Sequence, residues 1–198
     1  SGYGLRYRFG LFKQSFDNSG SQIEAADDWT KYGDPWSYRR YNHTVKVSFP
    51  DHTVLAVPYD VPVIGYGTQN VGTLRLWQCE AEEELNFNAF NDQDYLHALD
   101  SKNKAEDITR VLYPNDSTWD GKRLRLKQQY VLSSASLQDM LRTFKLAHSS
   151  DLTRFADFYA VQLNDTHPAM SIPELIRLLM LEGMSFDEAF KVAQKTFS

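Results

Sequence analysis

Residues 161–174, VQLNDTHPAMSIPE, decide how this chain is read. The apolar run from Phe158 to Leu163 predicts a strand that breaks abruptly into polar residues and then into a helix. Asn164, Asp165, Thr166 and His167 would then lie at a strand's carboxyl end, the edge where α/β proteins gather ligand-contacting loops, and Pro168 stiffens the path leading away. Ser171, with Glu174 three residues on, predicts a capping box, with Ile172 and Pro173 in a first turn where a missing N–H does no harm. Asp165 and His167 are therefore candidate site residues. Two residues apart, both could hydrogen-bond a hydroxylated ligand, or the carboxylate could serve the loop's own backbone as an Asx turn.

Downstream, a helix over Leu175–Leu181 is followed by a second capping box, Ser185-x-x-Glu188, with Phe186, Ala189, Phe190 and Ala193 as the buried stripe. Upstream, apolar residues at three and four spacing predict a long core helix from Lys122 to about Leu146. Its basic start, KRLRLK over Lys122–Lys127, reads as a solvated face. Before it, YPNDSTWDG (Tyr113–Gly121) is a loop rich in turn residues. From Asn91 to Tyr113 the pattern is helical, apolar at its ends and polar from Asp100 to Asp107 apart from Ala105. Such a helix projects, lies on the surface or meets a partner through polar contacts.

The first ninety residues read as β-rich. GLRYRFGLF (Gly4–Phe12) alternates as one half-buried strand with Leu5, Tyr7, Phe9 and Leu11 on one face. Lys13–Tyr41 reads as a compact loop tied down by Trp29 and Trp36. TVKVSF, HTVLAVPYDVPVIGY and GTLRLWQCE predict three antiparallel strands between Thr44 and Glu80. Pro58 and Pro62 assign the middle one to an edge, a bulged strand or an extended loop. The chain thus divides into a β-rich part (1–90), a projecting helix (91–113), a loop (114–121) and an α/β part (122–198). The fold class is α/β with an antiparallel meander and long helices.

Composition sets limits on function. A chain of 198 residues suffices for a substantial core. Its net charge of −5 and pI near 5.5 oppose a nucleic-acid footprint. No apolar run approaches the ~18 residues of a membrane span, and no signal peptide is evident. Cys79 is the single cysteine, so no internal disulfide can form; a reducing cytosolic setting and a small buried hydrophobe are the expectations. The five histidines have no metal-ligand spacing, and no nucleophile elbow, phosphate loop or dinucleotide fingerprint occurs. Gly2–Phe12 and the closing Thr196-Phe197-Ser198 both read like mid-fold sequence, which predicts a fragment.

GYGLRYRFGLFKQ, EAADDW, YGDPW, VPYDVPVIGY, TLRLW, ITRVLYPND with GKRLRLKQQY, and above all QLNDTHPAMSIPEL resemble the glycogen and α-glucan phosphorylase family, along essentially the whole chain and in order. The bacterial and maltodextrin-type members look most similar. The resemblance implies an internal piece of the Rossmann-like N-terminal lobe of a two-lobed (GT-B type) cytoplasmic glycosyltransferase. That enzyme would use inorganic phosphate and pyridoxal phosphate to release glucose 1-phosphate from α-1,4-glucan (glycogen or maltodextrin). The phosphate-contacting glycine loop would precede Ser1; a glucose-contacting histidine and the cofactor lysine would follow Ser198. No cofactor is therefore expected in this fragment, nor activity from it alone.

By the same resemblance Asp165 and His167 belong to a hydrogen-bonding network beside the glucose site. Asn115, Asp116 and Ser117 belong to a mobile gate before the cleft, and residues 91–113 to a tower helix at a homodimer interface. Ser117 and Thr118 depart from the asparagine and aromatic of animal members, and Thr143 from one of a pair of effector-reading arginines of which Arg142 survives. Two other readings remain: a structural and dimerisation module, and a carbohydrate-binding domain built on Trp29, Trp36, Trp77 and Trp119.

Overall fold

The computed structural model describes residues 1–112, 114–148 and 150–197; Tyr113 and the Leu11 side chain, both named in the expectations above, lie outside what is described. The chain divides into two compact units, 1–128 and 129–198, with the division inside one long helix.

The first unit is built on a mixed five-stranded sheet. Its strands are β1 (Gly2–Leu5), β4 (Tyr38–Arg39), β5 (Val45–Ser48), β6 (Thr53–Ile64) and β7 (Val71–Ala81), while β2 (Gly10–Phe16) and β3 (Gln22–Asp27) form a separate antiparallel hairpin. β6 pairs antiparallel with β7 from Val54↔Ala81 to Ile64↔Val71, and β1 adds in parallel on the far side of β7. The antiparallel meander expected between Thr44 and Glu80 is present. Val47, Val54, Ala56, Val57, Trp77 and Cys79 are buried, and Tyr3 stacks on Trp77 with ring centroids 6.3 Å apart. Burying each such large side chain stabilises by about 1.5–3 kcal/mol. Burial pushes the Cys79 thiol up to about 12, which leaves it inert.

Several expectations for this unit are corrected. The proline-bearing strand β6 is an inner strand, with β7 on one side and β5 and β4 in succession on the other. The Pro58 carbonyl accepts from the Arg40 N–H (2.8 Å), so Pro58 faces the second side, in the gap between β5, which ends opposite Ala56, and β4, which pairs at Tyr59 and Asp60. Pro62, of the same parity, faces that side beyond the end of β4. Each missing donor falls where no ladder bond is required.

Gly4–Phe12 is not one strand. It breaks between β1 and β2, because the Arg6 guanidinium turns inward to Gln78 (2.6 Å) and Asp34 (3.1 Å) and lies over the Tyr59 and Trp29 rings. Lys13–Tyr41 contains the β2–β3 hairpin, whose turn is closed by Asp17 Oδ1 accepting from Ser19 and Ser21 N–H groups, with Gly20 at φ 84°.

The helix expected over 91–113 is divided. α1 (Phe87–Asn91) ends before Gln93, whose φ of 64° cannot continue a right-handed helix, and a 3₁₀ turn (His97–Leu99) leads into α2 (Asp100–Asp107). Asp94 fixes that turn by accepting from His97 Nδ1 at 2.7 Å. α2 packs on β7, burying Ala105 and then Ile108. The long helix forms as expected and starts three residues early, as α3 (Trp119–Ala147).

The second unit is helical. It holds the rest of α3, then α4 (Phe155–Phe158), α5 (Ser171–Leu181) and α6 (Phe186–Thr196), with Phe144, Phe155, Leu175, Leu179, Ala189 and Ala193 in its core. Phe144 meets Phe155 edge-on with centroids 5.6 Å apart. The Ser185–Glu188 capping box is formed at α6. The Phe158–Leu163 strand is not. α4 takes its first residue, and Val161 alone bridges Phe197 in parallel, since a strand forms only where a neighbour runs alongside it. The Ser171–Glu174 capping box is absent as well. Winding begins one turn earlier, with Ala169 N–H to Thr166 O (3.0 Å) and Ser171 N–H to Pro168 O (2.9 Å), so both side chains are carried inward. Among the described residues, no helix is long and apolar enough to cross a membrane.

Candidate functional site

The loop between Val161 and α5 carries the first candidate pair. Asp165 is exposed and has φ 62°, a left-handed conformation that Asp and Asn tolerate better than other side-chain-bearing residues. Its Oδ1 accepts from the Thr166 N–H at 2.6 Å, and its Oδ2 lies 3.4 Å from His167 Nε2. Of the two readings open from sequence, the backbone one is present in that one carboxylate oxygen serves the loop's own N–H, while the other oxygen faces the imidazole. The Thr166 N–H, and after it His167, hold the Asp165 carboxyl below its ordinary range, so it is ionised near neutrality.

His167 is half-buried, and its Nδ1 lies 3.5 Å from Gln129 Nε2 on α3. With the amide nitrogen facing Nδ1, the assigned tautomer is Nε2–H. Side by side, an Nε2–H donor and a carboxylate acceptor form a unit that a vicinal diol or a single hydroxyl can engage through both of its hydrogen-bonding roles.

The α3 face behind this loop escaped the sequence reading. Ser171 Oγ donates to Ser133 Oγ (2.9 Å) in a fully buried contact, and the Tyr130 hydroxyl donates to Glu174 Oε1 (3.4 Å). The buried Glu174 carboxylate also takes both Arg177 Nε (2.7 Å) and an Arg177 terminal nitrogen (2.8 Å), which raises the Arg177 pKa further. The usable signal was the polar insertion VLSSAS within an otherwise apolar helix stripe: Ser133, Ser134 and Ser136 are all buried.

The second candidate group lies in the first unit. Asn115 Oδ1 accepts from the Ser117 N–H (2.8 Å), and Thr118 Oγ1 caps α3 by accepting from the Gly121 N–H (3.2 Å). Asp116 pairs with Arg125. Asn115 and Asp116 thus hold their own loop on the first turns of α3, the turn-chemistry role that a Pro-Asn-Asp sequence also predicts. Gly121 makes the close approach possible, since a Cβ there would lie 1.9 Å from the Asn115 carbonyl oxygen.

Other candidates resolve simply. Trp77 is fully buried and offers no sugar-stacking face, whereas Trp29, Trp36 and Trp119 are exposed. Asp51 meets Arg123 and Lys127 of the basic run, at 3.8 and 3.7 Å. Among the described residues, no group of three or more His, Cys, Asp or Glu side chains is arranged to hold a metal ion.

The description Carbohydrate phosphorylase belongs to a family model that matches residues 1–198. Glycogen phosphorylase, brain form, of Mus musculus is 45% identical over 98% of this chain and 26% of its own length. The liver form of Bos taurus is 44% identical over 100% of this chain and 26% of its own length. Glycogen phosphorylase 2 of Dictyostelium discoideum is 43% identical over 100% of this chain and 22% of its own length. The chain therefore spans about a quarter of the length of the curated relatives it matches. With its order of sequence blocks, its mixed sheet with helices and a match along every residue all in agreement, the chain belongs to the carbohydrate phosphorylase family.

Proposed function

We propose that residues 1–198 form part of an α-glucan phosphorylase, a cytoplasmic glycosyltransferase in which inorganic phosphate removes a terminal α-1,4-linked glucose from glycogen or maltodextrin as glucose 1-phosphate. The observation that carries this reading is the family match along the whole chain together with 45% identity to a glycogen phosphorylase. In this reading the chain is a section of the N-terminal lobe of a GT-B enzyme, and residues 91–113, now α1's end, a 3₁₀ turn and α2, lie at a homodimer contact.

Asp165 and His167 line one wall of the sugar site, where the ionised carboxylate and the Nε2–H hold glucosyl hydroxyls. An oxocarbenium-like transition state is stabilised by such preorganised groups far more than by flexible ones. The loop of Asn115, Asp116 and Ser117 acts as the gate, with its resting form held by the Asp116–Arg125 pair and the Asn115 turn. Thr143 in place of an arginine, and Arg142 committed to Asp139 at 2.7 Å, favour an enzyme without phosphate-reading effector control at this point.

Pyridoxal phosphate supplies the parent enzyme with a phosphate group beside the substrate phosphate. The residues described here do not fit it. An aldimine needs an enclosed lysine, and among the described residues no lysine is buried. The 198-residue chain alone is accordingly expected to be inactive; an aldimine absorbance band on mixing it with the cofactor would overturn this.

The decisive experiment is release of glucose 1-phosphate from glycogen by the longer protein carrying this sequence, comparing wild type with Asp165→Asn. Asparagine tolerates φ 62° and keeps the side-chain shape, so the fold is retained while the charge is removed. Turnover should fall by roughly 10²-fold, the scale for deleting one preorganised electrostatic group. Wild-type turnover in the folded variant would remove Asp165 from the site, and no phosphorolysis by the wild type would remove the functional reading.

A further inference from the structure

We propose that Gln129 is the positioning residue of His167: its amide fixes the imidazole as the Nε2–H tautomer and so aims the ring's donor at Asp165. The proposal rests on the reading of Asp165 and His167 as a sugar-facing pair and deepens it.

Two ladders meet here. Gln129 and Ser133 are four apart on α3 and therefore share a face. His167 and Ser171 are likewise four apart, joined by the consecutive turns Thr166–Ala169 and Pro168–Ser171 that lead into α5. Gln129 meets His167 at 3.5 Å and Ser133 meets Ser171 at 2.9 Å, with Tyr130 reaching Glu174 at 3.4 Å beside them. The buried Ser133–Ser171 contact and the Tyr130–Glu174–Arg177 group fix α5, and with it the turn that carries His167, against α3. Gln129 is the member of the ladder that touches the imidazole itself.

The chemical consequence follows from the inventory of donors. An amide –NH₂ directed at Nδ1 requires that atom to be the acceptor, which leaves the proton on Nε2, and Nε2 is the nitrogen 3.4 Å from Asp165 Oδ2. The opposite tautomer would present two acceptors, Nε2 and the carboxylate, to the incoming ligand and lose the donor half of the pair. A carboxylate in place of the amide would draw a proton to Nδ1 in competition with, or in addition to, the one that Asp165 holds on Nε2.

The test reads the tautomer directly in the full protein, with its five histidines labelled with nitrogen-15 and His167 assigned by the signals missing from His167→Gln. At a pH of about 8, where histidine is neutral, the wild type should show protonated Nε2 and unprotonated Nδ1. Gln129→Glu should place a proton on Nδ1, and Gln129→Leu, which leaves the choice to Asp165, should raise the fraction protonated on Nδ1 above that of the wild type. Protonated Nδ1 in the wild type, or the same tautomer in all three proteins, would overturn the proposal. If Gln129→Glu fails to fold, the wild type and Gln129→Leu decide it by the same criterion. The signature needs no substrate, so it stands or falls separately from turnover: a correct tautomer in a protein without phosphorolysis refutes the functional reading and leaves the positioning intact.

Discussion

Replacing Gly121 by alanine tests how the 115–118 loop is held. Glycine inside a helix ordinarily costs about 1 kcal/mol relative to alanine, so the substitution would stabilise α3 by that amount if only the helix mattered. The added Cβ would stand 1.9 Å from the Asn115 carbonyl oxygen, 2.9 Å from its carbonyl carbon and 3.1 Å from Asp116 Cα. All three neighbours are backbone, and real Cβ atoms essentially never come within 3.0 Å of another atom, so the oxygen must retreat by about 1.1 Å to reach even that limit. The retreat pulls on the Asn115 turn to Ser117 and on the Asp116–Arg125 pair. Overpacking of this kind costs about 1–3 kcal/mol, and the two neutral hydrogen bonds of the loop, Asn115 to Ser117 and Thr118 to Gly121, carry about 1 kcal/mol each.

With one loop hydrogen bond lost as well, the clash outweighs the propensity gain, for a net loss of about 1–3 kcal/mol. For a chain of this size that is a fall in Tm of about 2–12 °C, followed by far-ultraviolet circular dichroism. Lys122→Ala, one residue on and exposed, serves as control and should change stability by less than about 0.5 kcal/mol. A Gly121→Ala variant as stable as wild type, or more so, would show that the loop does not rest on the helix.

Glu174→Leu should destabilise by about 1–3 kcal/mol in urea unfolding, because it removes the Tyr130 hydroxyl's contact with α5 and both bonds of the half-exposed Arg177 guanidinium to a buried carboxylate; Arg177→Met in the same chain should restore part of the loss, and a neutral single variant would mean Glu174 does not tie α3 to α5. Asp60 sets an acid-limb test. Burial pushes its carboxyl up, but hydrogen bonds and charge from Arg75, then Arg40, outweigh this and hold it below its ordinary range. Since the folded value is the lower one, the stability it lends is present above pH about 4 and is lost as pH falls below that through the folded value. Asp60→Asn should flatten the fall of the urea midpoint in that window, and an unchanged acid slope would assign the effect elsewhere.

What the sequence made legible follows from the range of the forces involved. The α3 stripe, the Ser185–Glu188 box and the β6–β7 pairing rest on periodicities and caps that act within a few residues, and each formed. The division of the helix expected over 91–113 begins at Gln93, whose left-handed backbone apolar spacing does not encode. Pro58 and Pro62 misassigned β6 because their effect depends on which side of the strand lacks a neighbour, a property of β4 and β5 rather than of β6.

Ser171 and Glu174 show the same limit where the candidate site is concerned. Their spacing meets every local requirement of a capping box, yet the turn that starts at Thr166 takes up the N–H groups that such a box would satisfy. Freed from capping, the two side chains turn inward to Ser133 and Tyr130, polar positions in the stripe of a helix some forty residues away in sequence. That one exchange of partners gives the buried Ser133 of α3 its partner and buries Glu174 beside an arginine. It also gives His167 a fixed seat one turn before α5. α5 begins at Ser171 in either case, but a capping box there would have left the Asp165–His167 loop hanging from it; the turn bonds from Ala169 to Thr166 and from Ser171 to Pro168 instead tie that loop to the helix through the backbone.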